Sequence, residues 1–321
     1  PYLEVETGWA SNHEVRHTGS SGGALSAILL RLVETGQVDG VVTTRAARTN
    51  PIGNEPVLAT TREEILDAAG SRYAPSAPLA DLQSYLDGGL RLAFVGKPCD
   101  VAALRAMARH DPRIDTSFPV MLSFFCAGVP SQSGGDAVLS ALGTARDATA
   151  HFRFRGNGWP GRATAVGHDG QTRSMSYHDS WGRILSRHVQ HRCKICADGT
   201  GMDADIVCAD AWESDAEGYP LFEERDGVSL IMARTPKGKD IVDDARSAGI
   251  VVTEPFDISR LSAIQPGQRD RRRALAARLL ALRLAGRPVP RYSGLHVWSA
   301  ALQNSPVRLL RNFLGTLRRV I

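Results

Sequence analysis

The sequence predicts an α/β protein of mixed (α+β) character, with a parallel-type α/β N-terminal part, a second part rich in antiparallel hairpins that holds a group of cysteines, and a C-terminal helical tail. Three observations predict it. Short apolar strands alternate with amphipathic helical patterns over the first third and again over residues 91–126. From about His151 the texture changes to short strands broken by Asn157-Gly158 and Asp169-Gly170, pairs that favour hairpin turns. From Arg269 onward Arg, Leu and Ala recur at helical spacing. A chain of 321 residues can bury one large core or two smaller ones. The Pro/Ser-rich connector PSAPLADL marks an internal boundary, so the expected division is 1–85, 86–268 and 269–321.

Taken in order, Ser20 or Ser21 is expected to cap a helix through GGALSAILLRLVETG, which Gly36 ends. VDGVVTT and PVLATT follow as strands. Thr61 caps the next helix, with Glu64 three residues on as in a capping box. RLAFVG (91–96) reads as a buried strand, CDVAALRAMARH as its helix and PVMLSFF (119–125) as the neighbouring parallel strand. The helix GGDAVLSALG comes next, then the hairpins HFRFRGNGWPG, RATAVGHDGQ and TRSMSYHDSWG. DADIVCADAW is a further strand, residues 213–227 an irregular acidic stretch, and GVSLIMARTPKGKDIVDDARSAGIVVTE a strand, a helix and a strand. Residues 270–286 form a helix. Ser305-Pro306 opens a last one, with Val307, Leu310, Phe313, Leu314 and Leu317 on one face.

The composition is that of an ordinary soluble chain, 43% hydrophobic and 22% charged, and no apolar run approaches the roughly 18 residues of a membrane span. The first residues show no leader pattern and no initiator Met, as expected of a trimmed chain. The net charge of +4 hides a split: residues 269–321 hold 12 Arg, no Lys and one acid, Asp270, for +11, while the rest carries 26 basic and 33 acidic residues, or −7. No RNA-binding or recognition-helix pattern accompanies the tail, so nucleic acid is not expected. These arginines are expected on outer helix faces or against an acidic partner, and the last helix offers weak contact with an anionic membrane surface.

Five cysteines in a chain this long are no disulfide scaffold, and a reducing cytoplasm is the expected setting. Cys99 in VGKPC and Cys126 in SFFCAG fall just past the ends of neighbouring parallel strands, the edge where open α/β sheets bind ligands. With Cys193 and Cys196 of RCKIC they supply four thiolates, enough for a cubane iron–sulfur cluster or a structural zinc. Buried or oxidised thiols are the remaining reading. Cys208, in an alternating strand, reads as a small buried residue.

Other segments suit anions. TGSSGG (18–23) opens a helix with two glycines that let a ligand approach the backbone; the alternative is an ordinary helix start. GSRY places Arg72 and Tyr73 in a loop. Arg153 and Arg155, two apart on a strand face, suit phosphates or a carboxylate, or else a solvated outer face. Asp203, Asp205 and Asp210 suggest a hard metal or, more simply, turns and caps. His178, His188 and His191 flank Trp181 and the Cys-x-x-Cys pair, and one of them could donate a proton.

The series HTGSSGGALSAILLRLVETGQVDGVV, AAGSRY, VGKPCDVAALR, FFCAG, RCKICADGTGMDADIVCADAW and IQPGQRDRR resembles the beta subunit family of coenzyme F-420 hydrogenases and dehydrogenases, over about residues 12–290. That family includes 7-hydroxymethyl chlorophyll a reductase and a divinyl chlorophyllide vinyl reductase. The resemblance implies FAD and at least one [4Fe–4S] cluster, with electrons passing between cluster, flavin and a soluble hydride carrier or reducible substrate. Carried across by motif, it implies Cys99, Cys126, Cys193 and Cys196 as cluster ligands. It implies Ser21, Gly22 and Gly23, Ser71 and Tyr73, and Gly96 to Pro98 as flavin contacts. With Arg153 and Arg155 these make up the expected cofactor-binding set. The family's Gly-Asp-Ala-Trp is replaced here by Cys208-Ala209-Asp210-Ala211-Trp212, which keeps Cys208 incidental. A Cys-rich ferredoxin-like extension found in many relatives is not in this sequence, so one cluster is expected. The expected partners are a ferredoxin-like electron donor or partner subunit and a small-molecule hydride acceptor such as the deazaflavin coenzyme, in a homo-oligomer or larger complex. A non-catalytic electron-transfer subunit and a zinc-stabilised transferase-like enzyme are the competing readings.

Overall fold

The structure, a computed structural model, describes residues 1–212, 221 and 224–320. Most of the acidic stretch expected at 213–227 lies outside the described residues. The strands are β1 (Glu4–Ala10), β2 (Gly40–Ala46), β3 (Asn54–Ala59), β4 (Leu92–Gly96), β5 (Val120–Phe124), β6 (Thr149–Arg153), β7 (Ala163–Gly167), β8 (Thr172–Met175), β9 (Ile206–Asp210), β10 (Ser229–Ala233) and β11 (Val251–Pro255). Eight form one mixed sheet in the order β11-β1-β10-β9-β5-β4-β2-β3, and β6-β7-β8 form a separate antiparallel sheet. The pairs β2–β4, β4–β5 and β5–β9 are parallel. Because β10 is antiparallel to both β9 and β1, β1 points the same way as these four. Five strands therefore present their carboxyl ends at one edge.

The parallel centre follows from its sequence. All five residues of β4 are buried, as are the first four of β5, which is why these strands read as continuous apolar runs. Alternate residues feed opposite faces. Ala93, Val95, Leu122, Ile206 and Cys208 pack with Ile28 and Leu32 of helix Ala24–Glu34 and with Val242 and Ala245 of helix Pro236–Ser247. Phe94, Met121, Val207 and Leu230 pack on the other face, with Val101 and Leu104 of helix Pro98–Ala108. Each fully buried large side chain contributes about 1.5–3 kcal/mol of transfer free energy before entropy is counted. Strands from 1–85 and 86–268 share this sheet and both cores.

The capping box at Thr61 and Glu64 forms as expected. The helix expected to be capped by Ser20 or Ser21 instead starts at Ala24 behind Gly23, which is left-handed at φ 70° and offers no side-chain cap. A Cβ at Gly23 would stand 2.5 Å from the Val15 carbonyl oxygen, so close backbone packing adds to the requirement for glycine. Asp169-Gly170 makes the β7–β8 turn, with Gly170 at φ 75°. Asn157-Gly158 lies instead within the longer 154–162 loop between β6 and β7, because Arg153 is the last paired residue of β6.

At the C-terminal end, helix Pro266–Leu284 is longer than expected and carries helices Val297–Leu302 and Pro306–Val320 on its flanks. The last helix is not seated on the whole apolar face read from the sequence. Phe313 and Leu317 are half-buried, whereas Val307, Leu310 and Leu314 stand exposed. Nor is the basic tail an outboard appendage: Leu275, Ala276, Leu282, Val297 and Ala301 share a core with Ile195 and Ala197 of the Cys-x-x-Cys loop.

Candidate functional site

The carboxyl edge of the sheet carries the first two cysteines singled out above. Cys99 follows β4 at the start of helix Pro98–Ala108, and Cys126 follows β5. Gly96 ends β4 in a space with no room for a side chain: a Cβ there would stand 2.7 Å from the Phe94 ring and 2.9 Å from the Asp100 Cβ. Lys97 donates to Ser76 Oγ (2.7 Å) and pairs with Asp100 (2.7 Å), tying the turn to the loop after GSRY.

Cys193 and Cys196 come from a different part of the chain but are zipped against the Cys126 loop. The Cys126 N–H donates to Gly199 O (2.9 Å), the Gln190 N–H to Val129 O (3.0 Å), and the Val129 N–H to Cys193 Sγ (3.3 Å). The helical segment braces this loop from behind: Arg278 Nη1 donates to Lys194 O (2.7 Å), Tyr292 Oη to Ile195 O (2.5 Å) and Arg271 Nη2 to Cys126 O (2.6 Å).

Electrostatic influence links Cys99 with Cys126 and Cys196, Cys126 with Cys193 and Cys196, and Cys196 with Cys193. Burial pushes the Cys126 thiol up to about 11, while the Arg271 guanidinium pulls it back, and the same two influences act on Cys196. Cys99 is exposed at the rim, yet packing around its sulfur, with Asp100 next, raises its thiol to about 12. Among the described residues no group of three or more His, Cys, Asp or Glu side chains stands at metal-holding spacing. The four thiols are thus gathered without being closed into a coordination shell. The donor chemistry nonetheless fits a soft metal centre: four sulfurs, a backbone N–H aimed at one of them, and a guanidinium that favours their ionised form. Cys208 lies buried in the core within β9, apart from this group, and burial alone raises its thiol to about 12.

A second cluster forms from TGSSGG, GSRY and the strand carrying Arg153. The Ser71 N–H donates to Ser20 Oγ, and Arg153 Nη1 reaches Thr18 O (3.4 Å) while packing on Gly70 and Gly156. Gly70, at φ 98°, and Gly156, at φ 117°, leave room for that guanidinium, since a Cβ on either would lie within 3 Å of it. Arg72 donates to Asn54 Oδ1 (2.9 Å) and Gly53 O (2.8 Å) and lies over the Phe154 ring. Burial, aided by the nearby charge of Arg153, lowers Arg72 to about 10, and burial lowers Arg153 too. Among the described residues neither guanidinium has a carboxylate within ion-pair distance. Two half-buried cations that share only the more distant charge of Asp67 among the described residues make a site that favours an anion. Tyr73 packs on Trp181, with ring centroids 4.6 Å apart.

Three expectations change here. Gly22 does not present a free amide: its N–H donates to Ser229 Oγ (2.9 Å), Ser21 Oγ meets the same hydroxyl (2.8 Å), and a Cβ at Gly22 would lie 2.6 Å from Gly8 O. Close packing on β1 and β10 thus accounts for this glycine. Arg155 is not beside Arg153 on a solvated face. It is 2% exposed, paired through Nη1 (2.8 Å) and Nη2 (2.6 Å) with Asp210, bonded through Nε to Pro160 O (2.6 Å), and stacked on Tyr177 and Trp212. Burial by itself would lower the Arg155 pKa, but Asp210 outweighs it and raises it. Trp159 Nε1 donates to the same carboxylate (2.9 Å).

The aspartates also separate. Asp210 belongs to that pair. Asp205, 4% exposed, is no surface turn residue: it accepts from the Met121 N–H (2.8 Å), Thr235 Oγ1 (2.8 Å) and Arg105 Nη2 (2.9 Å). Asp203 is exposed. His178 and His191 are exposed, and His188 meets Ser133 Oγ at 3.2 Å. Arg271 is the member of the site that sequence reasoning missed. It stands in an arginine run, and only the fold brings it to Cys126.

Comparison with known proteins identifies the family of the chain. Residues 5–83 match the family model for the N-terminal part of the coenzyme F420 hydrogenase/dehydrogenase beta subunit, and residues 89–259 match its C-terminal part. The chain belongs to this family of oxidoreductase subunits. It is 26% identical over 288 residues to coenzyme F420 hydrogenase subunit beta of Methanococcus voltae, covering 88% of this chain and 95% of that one. It is 26% identical over 251 residues to F420-dependent formate dehydrogenase 1 subunit beta of Methanococcus maripaludis, covering 76% of this chain and 60% of that one. It is 23% identical over 264 residues to 7-hydroxymethyl chlorophyll a reductase of Oryza sativa, covering 78% and 53%. The chain therefore spans little more than half of the last two. In fold it is similar to a chain of the F420-reducing [NiFe] hydrogenase complex from Methanosarcina barkeri, with a TM-score of 0.66 at 20% identity over 87% of this chain and 93% of that one.

Proposed function

We propose that this chain is a flavin- and [4Fe–4S]-dependent oxidoreductase subunit that passes electrons between an iron–sulfur donor such as ferredoxin and a hydride-accepting small molecule, the deazaflavin coenzyme F-420 or another reducible compound. The observation that carries the proposal is the convergence of Cys99, Cys126, Cys193 and Cys196 from three separate loops onto one end of the parallel sheet. In this reading those four thiolates hold the cluster. Arg271 supplies positive charge beside them, and the Val129 N–H supports one sulfur. FAD is placed by its anionic part, which Arg72 and Arg153 would neutralise, with Ser71, Tyr73 and the Gly96–Pro98 turn around it. A bound flavin supplies the exchange between hydride and single-electron chemistry. The protein's own contribution is to orient the two centres, shield them from water and set the local charge.

The names of the relatives support an assignment within multi-subunit enzymes. Five unpaired thiols support a reducing, cytoplasmic setting. The division 1–85, 86–268 and 269–321 belongs to the same reading: the first two parts build the sheet, and the third braces the cysteine loop.

The test is anaerobic purification followed by an absorption spectrum, an iron and sulfide count and flavin release on denaturation. About four irons per chain and one flavin are expected. Cys193→Ser should remove most of the iron and abolish electron transfer. A colourless protein holding one zinc, or full iron in the Cys193→Ser variant, would overturn the assignment.

A further inference from the structure

The exposed apolar surface of this protein is concentrated in one stretch of chain. Of the twelve large apolar residues that stand exposed among the described residues, seven lie between 280 and 314, led by Leu302 at 87%, Leu284 and Val307 at 68% and Trp298 at 65%. Helix Pro306–Val320 shows how this arises. It has two apolar sides. Leu309, Phe313, Thr316 and Val320 face inward toward helix Pro266–Leu284, and Asn312 Oδ1 accepts from Arg278 (3.0 Å) on that side. Val307, Leu310 and Leu314 recur three and four apart on the opposite side, where Arg311 and Arg318 share their stripe. None of these three apolar residues belongs to the core that Leu309 and Val320 join.

The charge around it is of one kind. Between 269 and 320 every cation is Arg and the single acid, Asp270, is already engaged by Arg269 (2.8 Å) and Arg308 (3.8 Å). The stretch also lies beyond residue 259, where the family match ends.

We propose that this face docks on an anionic lipid surface. Charge complementarity selects the occupant. Exposed Leu, Val and Trp side chains gain by entering the boundary between headgroups and acyl chains. The flanking guanidiniums can lay their aliphatic stems along that boundary while binding lipid phosphates. An anionic bilayer meets both demands in one plane. The contact is peripheral, since no helix among the described residues is long and apolar enough to cross a membrane.

Flotation of the intact, cofactor-loaded chain with vesicles tests this, comparing phosphatidylcholine alone with phosphatidylcholine containing phosphatidylglycerol. The protein should float with the anionic vesicles and stay behind with the neutral ones. Leu310→Ser combined with Leu314→Ser should lower partitioning at least about tenfold while leaving the circular dichroism and melting temperature unchanged, because both side chains are exposed. Trp298→Phe should abolish the part of the vesicle-induced emission shift that belongs to Trp298. Wild-type protein that ignores anionic vesicles overturns the proposal. So does a double variant that floats as well as wild type, which would leave the arginines acting alone and make an acidic protein the better occupant.

Discussion

Two arginine-rich regions of this molecule use the same side chain in opposite ways. At the carboxyl edge of the sheet, Arg155 is fully enclosed and held by a carboxylate, a carbonyl and two aromatic rings. In the C-terminal helices, Arg271 and Arg278 are half-buried and end on backbone carbonyls of the cysteine loops, and most of the remaining arginines face outward. The first arrangement fixes the architecture under the site. The second clamps and charges the site from outside. Arginine content therefore says little until each guanidinium's counter-group is known.

The largest expected effect comes from breaking the first arrangement. Asp210→Ala leaves Arg155 buried without its partner and should cost about 3–5 kcal/mol in urea unfolding. The pair Arg155→Met with Asp210→Leu should recover most of that. A loss below about 1 kcal/mol in the single variant would mean that the carboxylate is not what holds Arg155.

Arg271→Gln probes the second arrangement. It removes a hydrogen bond and a charge, so the stability loss should be only about 1–2 kcal/mol. With the proposed cluster on the four thiolates, iron should be released faster from this variant and the reduction potential should fall, since a positive charge stabilises the reduced form. Unchanged iron retention and potential would return Arg271 to the rank of an ordinary helix residue.

A surface pair outside both regions gives the baseline. Arg31 Nε donates to Asp244 Oδ2 at 3.0 Å and holds that carboxyl below its ordinary 3.8. A carboxylate lowered in the folded state stabilises above its unfolded value, and the benefit disappears as pH falls through the folded one. Asp244→Asn should therefore cost less than about 1 kcal/mol at neutral pH, the pair being partly exposed. The difference between variant and wild type in thermal melts should close in acid. A gap that persists at low pH would assign the effect to packing.

Much of this arrangement could be read from the chain alone. β4 and β5 are legible because burial on both faces writes an unbroken apolar run. The position of Cys99 and Cys126 follows once those strands are found. β1 was not legible, for a physical reason. Its Glu4 and Glu6 look like surface residues, but Arg246 and Lys239 neutralise them at the side of the sheet. Gly8 weakens the strand pattern further, and it is required because a Cβ would lie 2.4 Å from Val252 O. Arg153 and Arg155 look equivalent at a spacing of two. They differ because β6 ends at Arg153, so the period-two rule no longer applies to its successor. Arg271 could not be found from spacing at all, because 145 positions separate it from the carbonyl it binds.

The clamp also bears on the order of synthesis. All four cysteines leave the ribosome before residues 266–292, yet it is Arg271, Arg278 and Tyr292 that hold the Cys126 and Cys193–Cys196 loops in place. A nascent chain that has completed its sheet has the backbone bonds between the Cys126 and Cys193–Cys196 loops within reach, but not yet the side chains that brace those loops. The last braces on these two cysteine loops are accordingly supplied only once the helical segment has been translated.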